Sequence, residues 1–178
     1  MQITYYVAAS LDGFIAKEDG DVSWLEELDI PFSETGYDEY FETVDAIVMG
    51  RKTYEIICSF AGWPYGNKPV WICSRDKSIL PVEGCNLQPG KSPEDVMELA
   101  KQMKINHLWL VGGGQLATSF LEKNMLNKII LSHMPIILGS GIKLFGDIAQ
   151  AEKVKFERYK SYPSGFLQSQ YSINKAKP

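Results

Sequence analysis

Three glycines in a row, Gly112, Gly113 and Gly114, separate the apolar run Leu108–Val111 from a helical pattern running from Gln115 to Lys123. At a strand-to-helix junction of this kind, the missing Cβ atoms let a pyrophosphate approach the backbone. The N–H groups of the first helical turn then receive it. Gly112, Gly114 and Ala117 also satisfy G-x-G-x-x-A. The strand about twenty residues on, however, ends Leu131-Ser132-His133, with no carboxylate for a ribose, which argues against a standard Rossmann domain. The competing reading is a close-packed turn that binds nothing.

Two further junctions share the pattern. Gly50, Arg51, Lys52 and Thr53 follow the apolar run Ala46–Met49, and Ser74 and Arg75 follow Val70–Cys73. Such strand ends converge on one edge of an open α/β sheet, where ligands bind. Each cation by itself is an ordinary solvated charge. Three phosphate-compatible turns in an acidic chain point instead to a dinucleotide, and the Arg, Lys and Ser set suits the extra 2′-phosphate of NADP.

A fourth segment, Ser10-Leu11-Asp12-Gly13, reads as a sharp turn. With the polar stretch Lys17–Asp21 and Trp24 after it, it has the pattern of a mobile flap with an apolar anchor at each end. Asp12 either satisfies turn backbone or faces the chemistry, and Trp24 is either an anchor or plain core. His107 and His133 fall at strand ends and read as structural, with no Ser/His/Asp set around them. No His, Cys or carboxylate spacing suggests a metal. Cys58, Cys73 and Cys85 are widely spaced and form no CxxC pair, which fits a reducing cytoplasm better than a disulfide framework.

The elements that must hold these turns are legible around them. Ile3–Ala8, Ala46–Met49, Val70–Cys73, Leu108–Val111 and Lys128–His133 read as strands, most of them apolar on both faces, as in a sheet covered on both sides. Tyr37, Tyr40, Phe41 and Val44 repeat at helical spacing, and so do Val96, Leu99, Ala100 and Met103. The second of these helices has Ser92 to cap it, Pro93 at its first position, and Glu94 and Asp95 at the positive end of its dipole. PIILGSGIKLFG reads as loop. Val154–Tyr162 and Phe166–Asn174 read as strands around a Pro163-Ser164-Gly165 turn. Phe156, Tyr159, Phe166 and Tyr171 on that hairpin could build a homodimer or close the core.

At 178 residues, with 45% apolar and 22% charged side chains, the chain suits a single domain spanning residues 1–178. A net charge of −4 gives no general attraction to nucleic acid or anionic membranes. No run approaches the roughly 18 apolar residues of a membrane helix, and the N-terminus lacks the pattern of a secretory signal. The expected class is α/β with a mixed sheet.

Taken together and in order, SLDGFIA, VMGRKTYE, ICSR, LVGGGQL and PIILGSGIKLF resemble the dihydrofolate reductases. They are more similar still to the reductase domain of riboflavin biosynthesis, over nearly the whole chain. The resemblance implies a three-layer fold with a mainly parallel eight-stranded sheet, antiparallel C-terminal strands, helices on both faces, and NADPH lying across the strand ends. It implies that Gly50, Arg51, Lys52 and Thr53 meet cofactor phosphates, and that Ser74 and Arg75 surround the 2′-phosphate and adenine. Val111, Gly112, Gly113, Gly114, Gln115 and Leu116 would cradle the pyrophosphate. Ala9, Ile15 and Ala16 would lie near the nicotinamide, and Asp12, in a turn whose family position faces the cleft, is the catalytic candidate, with the proton coming from solvent or from an acid such as Asp12.

The implied activity is reduction of a small heterocycle, of the 5-amino-6-(5-phosphoribosylamino)uracil reductase type, by a cytoplasmic homodimer. One alternative is a dihydrofolate reductase, for which the first-helix carboxylate would have to be Asp29 or Glu34 in the stretch LDIPFSE. The other is a non-catalytic NADP-binding module. The H-x-E and P-C-x-x-C of a zinc deaminase do not occur in this sequence.

Overall fold

The computed structural model describes residues 1–76 and 79–173. Ten strands are present: β1 (Gln2–Ser10), β2 (Phe14–Ala16), β3 (Ala46–Gly50), β4 (Pro69–Cys73), β5 (Asn86–Leu87), β6 (His107–Gly112), β7 (Lys128–Met134), β8 (Ile142–Lys143), β9 (Val154–Ser161) and β10 (Leu167–Ile173). Four α-helices join them: α1 (Tyr37–Glu42), α2 (Arg51–Cys58), α3 (Pro93–Gln102) and α4 (Gly114–Glu122). Eight strands form one sheet in the order β5-β4-β3-β6-β1-β7-β10-β9. From β5 to β7 all neighbours are parallel, while β10 runs antiparallel to β7 and β9 antiparallel to β10. The sequence-based fold class is thus met, and the expected strands and helices are present with ends shifted by one or two residues. The expected end of the last strand, Asn174, lies outside the described residues.

Alternation along the strands sorts the core into two layers. Ile3, Tyr5, Ala46, Val48, Trp71, Leu108 and Leu110 turn to the face covered by α3 and α4, where they meet Val96, Ala100, Ala117 and Phe120. Tyr6, Ile47, Met49, Val70, Ile72 and Trp109 turn to the other face and pack under α1 and α2. There Trp109 is ringed by Tyr6, Tyr37, Tyr40, Phe41 and Tyr65, and its indole N–H donates to the Tyr6 carbonyl at 3.1 Å. Burying a side chain such as the fully enclosed Phe120 stabilises by about 1.5–3 kcal/mol.

Three regions depart from the sequence reading. The segment expected to be loop, 135–146, contains β8, which pairs antiparallel with the unforeseen β2 through Phe14 opposite Lys143 and Ala16 opposite Ile142. The first part of the segment read as a flap is hydrogen-bonded to this stretch. Leu11 N–H donates to the Ile136 carbonyl at 2.7 Å and Leu144 N–H to the Gly13 carbonyl at 2.9 Å. Trp24 is buried core, packed among Met134, Tyr162 and Phe166.

Where a first helix could have carried a carboxylate, the chain makes two 3₁₀ turns, Ser23–Leu28 and Phe32–Glu34. They are separated by Asp29 at φ 49° and by Pro31. A left-handed residue and a proline two positions later cannot continue an α-helix. On the C-terminal hairpin, Phe166 turns inward and stacks on Tyr162 with ring centroids 4.1 Å apart, whereas Phe156 and Tyr159 are exposed. Of the four aromatics that could build a dimer or close the core, Phe166 joins the core, while Phe156 contacts Tyr159 and Tyr171 with ring centroids 6.4 and 5.9 Å apart. Among the described residues, no helix is long and apolar enough to cross a membrane.

Candidate functional site

Because β3, β4 and β6 are parallel neighbours, the three phosphate-compatible turns emerge side by side from their carboxyl ends. α2 and α4 start there without side-chain caps. Gly50 precedes α2 and Gly113 precedes α4, both in extended conformation and with no side chain to accept from the N–H groups behind them. In α4 the first intrahelical bond among these N–H groups runs from Ala117 to the Gly113 carbonyl, so those of Gly114, Gln115 and Leu116 open the helix. The partial positive charge of two helix ends is thus offered at one edge.

Thr53 links the two turns. A Cβ built on Gly112 would lie 3.5 Å from the Thr53 hydroxyl, and one on Gly113 3.8 Å from it, both ordinary contacts. The Gly112–Gly113 peptide bond is cis. Gly114 is a different case, since a Cβ there would fall 2.2 Å from the Lys143 carbonyl oxygen of β8. The third glycine is required for packing, while a side chain at either of the first two would meet only the Thr53 side chain at ordinary contact distance. The close-packed reading of the glycine run therefore holds at Gly114.

Arg51 bonds Glu55 one turn along α2 at 2.6 Å, with both side chains about half exposed. Such a surface pair is worth on the order of 0.3–0.5 kcal/mol, so Arg51 can turn to an anion at little cost. Lys52 is exposed beside it. At the end of β4, Ser74 is half-buried, accepts from Asp76 N–H at 3.0 Å, and is followed by the exposed Arg75. Next to this turn is a cleft of about 220 Å³ walled by Ile72, Ile79 and Leu87, with Lys91 at its rim. Nothing in the sequence marked it, because its walls come from three separate segments. A broader cleft of about 450 Å³ between Lys128 and Arg158 lies at the amino-terminal edge and shares no residue with these turns.

Ala9 is buried at the carboxyl end of β1, and Ala16 is buried on β2 with the half-buried Ile15 beside it. Asp12 is fixed in place. Its Oδ1 accepts from the Ser10 hydroxyl at 2.6 Å and from Leu138 N–H at 3.1 Å, and its Oδ2 accepts from Gly139 N–H at 2.7 Å. The Ser10 bond first, and then these backbone donors, hold the carboxyl below the usual carboxylate range. An ionised group with its oxygens engaged is a poor acid near neutral pH. These bonds tie the Ser10–Gly13 turn to the loop after β7 and favour the ionised form of Asp12.

Of the two first-helix candidates, Asp29 is exposed, and Glu34 is half-buried with Oε2 enclosed and lacking a hydrogen-bond partner. His107 engages Thr4 Oγ1 through Nε2 at 2.9 Å and the Thr43 carbonyl through Nδ1 at 3.0 Å, and His133 Nε2 meets Ser169 Oγ at 2.7 Å. Desolvation lowers the pKa of both.

Comparison with known proteins gives this edge a context. The model of the RibD C-terminal domain matches residues 91–167. The uncharacterized protein YwjB of Bacillus subtilis is 31% identical over 158 residues, covering 88% of this chain and 90% of that protein. YyaP from the same organism is 26% identical over 183 residues, covering 94% and 93%. A crystal structure from Shewanella sp. PV-4, provisionally assigned to riboflavin biosynthesis, superposes with a TM-score of 0.86 at 29% identity over 98% of this chain and all of that one. The deaminase/5-amino-6-(5-phosphoribosylamino)uracil reductase of Thermotoga maritima superposes at 0.71 and 15% identity. It covers 97% of this chain and 56% of the longer protein, a likeness of fold alone.

Proposed function

This chain belongs to the riboflavin-biosynthesis reductase-like family, with the dihydrofolate-reductase-like fold, and from that premise we propose that it is an NADPH-dependent reductase of a small heterocycle. The observation that carries the proposal is the meeting, beside Thr53, of two helix N-termini that no side chain caps, with Gly112 and Gly113 in contact with the Thr53 hydroxyl. Orphan N–H groups aimed at one edge suit a pyrophosphate. Arg51 and Lys52 would add charge-assisted bonds, and Ser74 and Arg75 would take the 2′-phosphate. The neighbouring cleft, walled by Ile72, Ile79 and Leu87, has the apolar character that an adenine needs. Ala9, Ile15 and Ala16 would leave room for the nicotinamide at the end of β1.

When bound, NADPH supplies the hydride. The protein's own part is positioning and exclusion of water, which together can account for about 7–11 kcal/mol of a barrier. Asp12 holds the turn that borders the nicotinamide site, and Trp24, Met134 and Phe166 wall the adjoining side. A dihydrofolate reductase needs a helical carboxylate here. The 3₁₀ turns, which leave Asp29 exposed, favour the riboflavin-type reading. For the dimer we favour β9, an edge strand exposed along its whole length and carrying Val154, Phe156 and Tyr159. Sedimentation of a Phe156→Lys variant as a monomer would bear this out.

Calorimetric titration tests the cofactor assignment. NADPH is expected to bind at least tenfold more tightly than NADH, and Arg75→Ala and Arg51→Ala should each narrow that ratio. Equal affinities in the unmutated protein would remove the 2′-phosphate site. Following NADPH oxidation with the ribosylaminopyrimidine and with dihydrofolate separates the two reductase readings. Saturable binding with no turnover of either acceptor would favour the non-catalytic module.

A further inference from the structure

The two halves of the carboxyl edge differ in charge. The cofactor half, at β4, β3 and β6, is supplied with Arg51, Lys52, Arg75 and two helix N-termini. The other half, at β1 and β7, is covered by the chain from Lys17 to Gly36. Its Trp24, Leu25, Leu28 and Ile30 pack against Ala8 and Met134, and its Thr35 carbonyl accepts from the Tyr6 hydroxyl at 3.1 Å and from Gln168 Nε2 at 3.3 Å. From Glu18 to Gly50 the sequence has eleven carboxylates and no lysine, arginine or histidine. Glu26, Glu27 and Asp29 stand exposed on the turn that buries Trp24, and one Glu34 oxygen is enclosed without a hydrogen bond.

The other elements that meet here do not restore the balance. The loop from Pro135 to Gly141 and the turn from Tyr162 to Phe166 carry no charged residue. Among the described residues, Lys17 is already paired with Asp21 at 2.8 Å, and Lys160 lies over the Tyr162 ring at 4.4 Å. Desolvation keeps His133 below its ordinary pKa, so it adds no cation near neutral pH. Among the described residues, no α-helix of two full turns begins on this side. A phosphate monoester carries close to two negative charges and binds where several charge-assisted donors converge. On this side it would meet carboxylates, whose repulsion acts over a Debye length of roughly 8 Å at physiological salt.

We infer that the acceptor carries no phosphate and is a neutral or cationic heterocycle. The inference rests on the NADPH-dependent reading and narrows its substrate class. The test is calorimetric titration of the NADPH-loaded protein with 5-amino-6-ribosylaminouracil and with its 5′-phosphate. The riboside should bind at least tenfold more tightly, and the gap should shrink as salt is raised from about 0.02 to 0.2 M, where screening increases. The double variant Glu26→Lys/Glu27→Lys should narrow the gap several-fold at unchanged NADPH affinity. Tighter binding of the 5′-phosphate, or binding of neither compound, overturns the inference. Failure of the protein to bind NADPH overturns instead the reading on which it rests.

Discussion

α3 and α4 pack on the same face of the sheet, share one apolar core and are bridged by the Lys123–Glu94 pair, yet their first turns are built in opposite ways. At α3 the Ser92 hydroxyl accepts from Asp95 N–H at 3.1 Å. The Asp95 carboxylate in turn accepts from the N–H groups of Ser92 at 3.1 Å and Lys91 at 2.9 Å. This capping box satisfies the helix end from within. At α4 a glycine stands at the cap position and no side chain answers the exposed N–H groups. A helix end that caps itself gains stability and loses its capacity for an anion. One left uncapped gives up that stability and keeps a site.

The sharpest way to break this contrast is to give α4 a cap of its own. Gly113→Asp should place an acceptor on the N–H groups and a negative charge where the pyrophosphate is proposed to lie. NADPH affinity is then expected to fall about 100-fold, or about 2.7 kcal/mol, while thermal stability stays level or rises by a few tenths of a kcal/mol. Unchanged NADPH affinity in calorimetry would remove the phosphate cradle. The converse change, Ser92→Ala, should cost about 1 kcal/mol in urea unfolding and leave NADPH affinity untouched.

A smaller effect concerns pH. The N–H groups of Lys91 and then Ser92 hold the Asp95 pKa below its unfolded value, so the stability it contributes is present above an unfolded pKa of about 3.9 and is lost as pH falls through the folded one. Asp95→Asn is expected to flatten the acid limb of a Tm-versus-pH curve below about pH 4. A wild-type slope there would assign that limb to other carboxylates.

The α3 box could be read from the sequence because all its parts lie within five residues. The central strands were legible for a similar reason, since Ile3, Ile47 and Leu108 sit in runs whose composition alone implies burial on both faces. The β2–β8 pair was not legible. Each partner is two or three residues long, and Phe14 is paired only because Lys143 is delivered to it from far along the chain. The anchorage of Asp12 was not legible on the same ground, because its backbone donors, Leu138 and Gly139, are more than 120 residues away in sequence. The glycine run could be read either as a phosphate turn or as a close-packed one, and the requirement at Gly114 comes from the Lys143 carbonyl and leaves no mark in the local pattern.

Strand order also governs how the molecule can be made. β1 lies at the middle of the sheet, yet its neighbours are β6, joined through Gln2 opposite His107, and β7, joined through Thr4 opposite Lys128. On a ribosome adding 5–20 residues per second, the first strand emerges on the order of 5–20 s before any partner exists for it. During that interval Ile3, Tyr5 and Val7 are open to chaperones or to other nascent chains. With its pairing this non-local, the sheet belongs among slow-folding topologies. Yield of active protein should therefore depend on translation rate and growth temperature more than the stability of the finished fold would suggest.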